Sequence, residues 1–223
     1  MQWSASIVAA YAASYLLAAP LGARFPGVST LEGSKRIVTF IHAIISTIEK
    51  NLIYGAHPET LFWAFLELAY LATDTLMDII LAFKEGKRVS RLVILHHVFI
   101  SGLLSFVLAR DRTSPASANV VKGDFFVGLG LLQNASTPFL TLAYLFRKAH
   151  IELGERIATL CTVVVYFLCR ISLWPYMLHV YSEREKGGGM IGAFFRIPAQ
   201  CQIGWSLLLG TNVCLFLFAN FAC

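Results

Sequence analysis

Charged residues are scarce in this sequence. Asp, Glu, Lys and Arg make up 14% of its 223 residues, against ~25% in a soluble domain. Apolar residues make up 57%, and the mean hydropathy is +0.67. That balance excludes a water-soluble enzyme and points to an integral membrane protein. Disulfide and metal patterns are missing too. The five cysteines, Cys161, Cys169, Cys201, Cys214 and Cys223, are odd in number and include no C-x-x-C. They give neither a disulfide framework nor a zinc site, and read as inert buried thiols. The net charge of +5 is spread over the connecting loops. It suits lipid headgroups rather than nucleic acid.

What is present is a series of apolar runs of ~17–25 residues, each long enough to cross a bilayer core. They predict an all-α polytopic membrane bundle of about seven helices, a single membrane domain over residues 1–223. The first helix is Ser4 to Leu21. No Lys or Arg precedes it, so the basic n-region of a signal peptide is missing, and it reads as a retained helix. A Gly-, Pro- and Ser-rich loop from Arg24 to Arg36 follows. The second helix is Ile37 to Tyr54, the third Leu61 to Phe83, and the fourth Leu92 to Ala109. His57-Pro58-Glu59, Lys84 to Arg88 and Arg110 to Gly123 are turns or loops. The fifth helix, Phe125 to Phe146, carries Pro138 in its middle. A proline there removes a backbone hydrogen bond and kinks the helix, and irregular backbone at that depth must face protein or a cavity. Asn134-Ala135-Ser136 matches a glycosylation sequon, but its depth argues against use. A loop from Arg147 to Arg156 leads to the sixth helix, Ile157 to Tyr181. A further loop from Ser182 to Arg196 leads to the last, Pro198 to Cys223. Odd-numbered loops hold ten basic residues and even-numbered loops seven, which puts the amino terminus on the non-cytoplasmic side.

The ionisable residues inside these runs carry the functional information. In the third helix, Glu67, Asp74 and Asp78 lie within ~20° of one line. With Arg170 in the sixth, they would cost on the order of 10 kcal/mol if all faced lipid. They are expected to turn inward, with Arg170 reaching Asp74 and Asp78. His96 and His97 open the fourth helix. A neutral imidazole acts as base or ligand; the plainer alternative is a hydrogen-bonding pair that locks helix packing, with Asp74 as partner. One adjacent histidine pair among six histidines is too few for a di-iron lipid oxidase. The last helix has no lysine for a retinal Schiff base, and no internal repeat argues for a transporter.

Several short motifs then fall in order. Lys35-Arg36 is followed by His42-Ala43, Asp74, and Leu95-His96-His97. Ser136-Thr137-Pro138-Phe139, then Arg170 and Trp174-Pro175, complete the series. Over residues 35–181 this resembles the TLC domain family, named for translocating-chain-associated membrane proteins, the longevity-assurance ceramide synthases and a ceroid-lipofuscinosis protein. The resemblance implies a six-helix barrel plus one helix, around a cavity that takes an acyl chain. His42, Glu67, Asp78, Gln133, Asn134, Ser136, Thr137 and Arg170 are its expected lining, and His96, His97 and Asp74 the candidate catalytic group.

The departures from the family matter. Ceramide synthases carry a second His-Asp step in the fifth helix, where this chain has Gln133 and Asn134. Amides do no general acid–base work at neutral pH. Many non-synthase relatives carry a glutamate before S-T-P-F, and Asn134 replaces that too. The expectation is a small non-synthase member that binds lipid and affects membrane lipid composition or handling. One alternative is an accessory subunit of a larger membrane complex. Another is a lipid acyltransferase or hydrolase using His96 and His97, with acyl-CoA as co-substrate. No metal or other cofactor is expected. The partners are membrane lipids and other membrane subunits. The resemblance implies the endoplasmic reticulum, with a mitochondrial or other organellar membrane as the alternative.

Overall fold

The computed structural model describes residues 2–48, 59–86, 91–109, 131–184, 189–196 and 199–221. Among these the chain is all-helical. Helices α1 (Gln2–Gly22), α2 (Thr30–Ile48), α3 (Glu59–Glu85) and α4 (Arg91–Ala109) come first. A 3-10 turn, Leu132–Ser136, runs straight into α5 (Thr137–Lys148). Next come α6 (Glu152–Tyr166), a π-helical segment (Phe167–Ser172) and α7 (Leu173–Arg184), which run on as one rod. A short α8 (Gly189–Arg196) and the long α9 (Ala199–Phe221) close the chain.

The helix boundaries correct the sequence reading in several places: α6 begins at Glu152, inside the expected loop from Arg147 to Arg156, and α3 takes in Glu59, Lys84 and Glu85. α2 begins at Thr30, inside the expected loop from Arg24 to Arg36. Ser29 caps it: its Oγ accepts from the Glu32 amide at 3.2 Å. Ser29-Thr30-Leu31-Glu32 carries the S-x-x-E spacing of a capping box, the sequence sign of a helix start. The expected loop from Ser182 to Arg196 likewise contains the end of α7 and all of α8. His57-Pro58, Lys87-Arg88, Arg110 to Gly123 and the amino-terminal part of the expected fifth helix lie outside the described residues.

The count of seven spans is also narrowed. Among the described residues one helix, Glu152–Val180, is long and apolar enough to cross a membrane, judged by length and composition. Ser6–Gly22 and Val93–Gly102 are shorter apolar helices. In α2 and α3, Glu32, Lys35, Arg36, Glu67, Asp74 and Asp78 displace apolar residues.

Those polar residues are inside. α3 buries Glu67 and Asp74 to 3% and 4% exposure, while Leu17 of α1 and Phe83 of α3 stand at 79% and 87%. An apolar exterior over a polar interior inverts the soluble pattern and suits a hydrocarbon surround. α1 packs on α2 and α3, and α2 packs on α5 and the 3-10 turn. α4 bridges α3 and α9, and α9 touches the π segment. Three apolar clusters seal the contacts. Tyr15, Ala18, Val38 and Met77 join α1, α2 and α3. Ala64, Tyr70, Leu71 and Leu104 join α3 to α4. Leu173, Trp174, Met177 and Leu208 join α7 to α9. Where α1 meets α2, a Cβ on Gly22 would fall 2.5 Å from the Ser34 amide nitrogen, and one on Gly33 2.5 Å from the Gly22 carbonyl oxygen. Only glycine permits so close a backbone approach.

Candidate functional site

With α2 begun at Thr30, Lys35, Thr39, His42 and Ser46 fall at i, i+4, i+7 and i+11, a single helical face. The α3 stripe of Glu67, Asp74 and Asp78 lies against it in antiparallel register. Lys35 Nζ lies 2.5 Å from Asp78 Oδ1 and 3.4 Å from Asp74 Oδ2. Thr39 Oγ1 donates to Asp74 Oδ1 at 3.2 Å, and Tyr70 OH donates to Thr39 Oγ1 at 3.2 Å. Lys35, not Arg170, therefore neutralises the acidic stripe. The expected Arg170 pairing is overturned because Lys35 is helical and already within reach.

Deeper along the same face, His42 Nε2 sits 2.8 Å from Glu67 Oε2 and His42 Nδ1 lies 2.6 Å from Tyr11 OH. The His42 ring stacks on Tyr70, with centroids 3.7 Å apart. Asn134 Nδ2 donates to both Glu67 oxygens, at 3.1 and 3.0 Å, and to Ser46 Oγ at 3.1 Å. A neutral imidazole satisfies every partner here if Nε2–H donates to the carboxylate and the Tyr11 hydroxyl donates to Nδ1. Three helices and the 3-10 turn thus meet on one buried carboxylate. Tyr11 and Ser46 were not singled out in the sequence. Tyr11 lies in an uncharged run, where a hydroxyl gives no ionic signal.

The second cluster is built by two prolines. Pro138 has no N–H for the carbonyl four residues back, that of Asn134. The chain tightens into the 3-10 turn, and the Thr137 amide serves Asn134 instead. In a regular α-helix that amide would serve the Gln133 carbonyl. Without that amide, the Gln133 oxygen accepts from Arg170 Nε at 2.9 Å and from Ser136 Oγ at 3.4 Å. Arg170 Nε also reaches Ser136 Oγ at 3.1 Å. Its terminal nitrogens reach Thr137 Oγ1 and His96 Nε2, each at 3.3 Å. Tyr166 lies under the guanidinium, 5.0 Å from ring centroid to Cζ. Arg170 itself stands in the π segment. Such segments are uncommon and recur at functional sites. Pro175, one turn on, cannot donate to the carbonyls behind it. Asn212 Nδ2 reaches the Arg170 carbonyl at 3.5 Å and Gln133 Oε1 at 3.3 Å, while Tyr166 OH donates to the Asn212 carbonyl at 2.9 Å. Asn212 is fully buried, and a lone amide in an uncharged helix gave no sequence cue.

The two histidines diverge. His96 is buried and its Nε2 faces Arg170, whereas His97 Nδ1 lies 2.8 Å from Thr75 Oγ1. No carboxylate lies within hydrogen-bond distance of either among the described residues. Asp74 is therefore not the orienting partner of His96; Lys35 and Thr39 hold it instead. Among the described residues His96 Nδ1 and Asn212 Oδ1, both near Arg170, are buried and find no hydrogen-bond partner. Among the described residues no group of three or more His, Cys, Asp or Glu is placed to hold a metal.

No solved structure matches the chain. The TLC domain model matches residues 4–220, well beyond the motifs of residues 35–181 that first suggested it, and takes in both α1 and α9. The chain belongs to the TLC domain family, and with it to membrane-associated, lipid-related proteins.

Proposed function

We propose that this TLC-domain protein binds lipid within its helical bundle and influences membrane lipid composition or handling, without ceramide-synthase-type acyl transfer. One observation carries the reading. Every buried carboxylate among the described residues already has structural partners: Glu32 has Arg36 and Tyr144, Glu67 has His42 and Asn134, and Asp74 has Lys35 and Thr39. Among the described residues His96 and His97 have no acidic partner, so this pair lacks the orienting carboxylate that a general base uses. What remains around His96 and Arg170 is a polar, donor-rich cluster inside an apolar exterior, which suits holding a lipid.

On this reading α1, α2, α3, α4, the 3-10 turn together with α5, the α6–α7 rod and α9 cross the bilayer. At 1.5 Å per residue, the 23 residues of α9 span ~35 Å and the 19 of α2 ~28 Å, close to a ~30 Å hydrocarbon core. The family resemblance favours the endoplasmic reticulum.

The test is gentle extraction followed by lipid mass spectrometry, alongside acyl-CoA turnover in the same preparation. Co-purified lipid with no turnover above control membranes is the expected result. Turnover that disappears in His96→Ala and His97→Ala would replace this reading with the acyltransferase one. A preparation free of lipid, stably bound to another membrane protein, would favour the accessory-subunit role.

A further inference from the structure

Arg170 is a half-buried cation held entirely by neutral groups. Its contacts are the Gln133 carbonyl, the Ser136 and Thr137 hydroxyls and the His96 ring. Among the described residues no carboxylate lies within ion-pair distance of it. A guanidinium carries five N–H donors in a fixed plane. Gln133 and Ser136 share the Nε–H, and Thr137 and His96 take one each from the two terminal nitrogens. One N–H therefore remains on each terminal nitrogen.

His96 takes one of these bonds as an acceptor. Arginine stays protonated and only donates, so His96 Nε2 accepts, and its Nδ1 lies on the far side of the ring, away from the guanidinium. A cation that has no counter-charge among the described residues is costly to fold unless something binds there.

We propose that Arg170 receives the oxyanion of an acidic lipid, the carboxylate of a free fatty acid or the phosphate of an acidic phospholipid, with His96 positioning the guanidinium through Nε2. The planar fork of a guanidinium suits two oxygens of one carboxylate or phosphate. The 3-10 turn before Pro138 supplies the Gln133 carbonyl that holds Nε, and Pro175 follows the wide turn that carries Arg170. This inference rests on the lipid-binding reading above and names the headgroup.

The experiment uses the full chain in detergent micelles. Binding of oleate and of dioleoyl phosphatidate is measured by native mass spectrometry against two neutral probes, oleyl alcohol and dioleoylglycerol. Wild type is expected to prefer at least one acidic probe over its neutral counterpart by about tenfold. Arg170→Gln is expected to abolish that preference while still binding dioleoylglycerol. Preference for oleate identifies a fatty carboxylate, and preference for phosphatidate alone identifies a phosphate headgroup. Equal binding of acidic and neutral probes by wild type overturns the proposal, and that measurement does not depend on Arg170→Gln folding. An undiminished preference in folded Arg170→Gln overturns it as well. If wild type binds none of the four probes, the lipid-binding reading fails and the headgroup assignment fails with it.

Discussion

His42 and Glu67 form a buried pair, Nε2 to Oε2 at 2.8 Å, on which Tyr11, Tyr70 and Asn134 all converge. Helices α1, α2 and α3 and the 3-10 turn are thereby tied to one carboxylate. Removing one partner of a buried pair costs ~3–5 kcal/mol, because the other is left unmatched. His42→Ala is therefore expected to lose most of the folded protein after extraction, read as the monodisperse fraction on size-exclusion chromatography. Glu67→Gln, which keeps the shape and an acceptor oxygen, should lose less. Equal yields for wild type and His42→Ala would remove this pair from the architecture.

Lys35 joins α2 to α3 through two carboxylates, and the coupling is measurable. Lys35→Met is expected to destabilise the protein. Lys35→Met with Asp78→Asn should be milder than the two single effects summed, with an interaction of ~0.5–3 kcal/mol. Thermal unfolding of the four proteins in detergent supplies the cycle. Strict additivity would mean that Lys35 finds its counter-charge elsewhere.

The α1–α2 contact makes a steric prediction. Gly22→Ala and Gly33→Ala each place a methyl carbon 2.5 Å from backbone atoms of the facing helix. Each is expected to destabilise by about 1–3 kcal/mol, the usual scale of overpacking. Gly102→Ala on α4 meets nothing within 4 Å, and should be neutral or stabilising by up to ~1 kcal/mol. Melting temperatures of the three variants in one detergent separate these outcomes.

Among the described side chains of α9, Asn212 is completely buried. Asn212→Leu would leave Gln133 Oε1 and the Arg170 carbonyl without that donor, a loss of ~1–3 kcal/mol. The expected signature is a lowered melting temperature with weakened lipid binding, since Gln133 and Arg170 share the network. An unchanged melting temperature would show that water replaces the amide at no loss.

Much of this interior is legible in the sequence, and the parts that are not have separate physical causes. The α3 stripe could be read because three carboxylates in an apolar run have one physical solution, which is to face inward. Pro138 announced the irregular backbone before α5. The partner of the stripe was misassigned because residues 24–36 were read as loop from their Gly, Pro and Ser content. The Ser29–Glu32 spacing would have started α2 at Thr30 and put Lys35 in phase with His42. Tyr11 and Asn212 were missed for a different reason. Uncharged polar residues raise no alarm in an apolar helix, and only packing shows that they are sealed. The π segment had no herald either, as Pro175 alone predicts a bend rather than a widened turn.

That widened turn sets the phase of everything after it. A π turn accommodates one residue more than an α turn, and each residue rotates an α-helix by ~100°. Without the wide turn the extra residue would swing Trp174 and Met177 off their seat against Leu208; deleting one residue from 167–172 would instead restore uniform α-helix and leave that contact in place. The segment takes up slack: it absorbs one residue, so that the helix beyond it keeps its face toward α9.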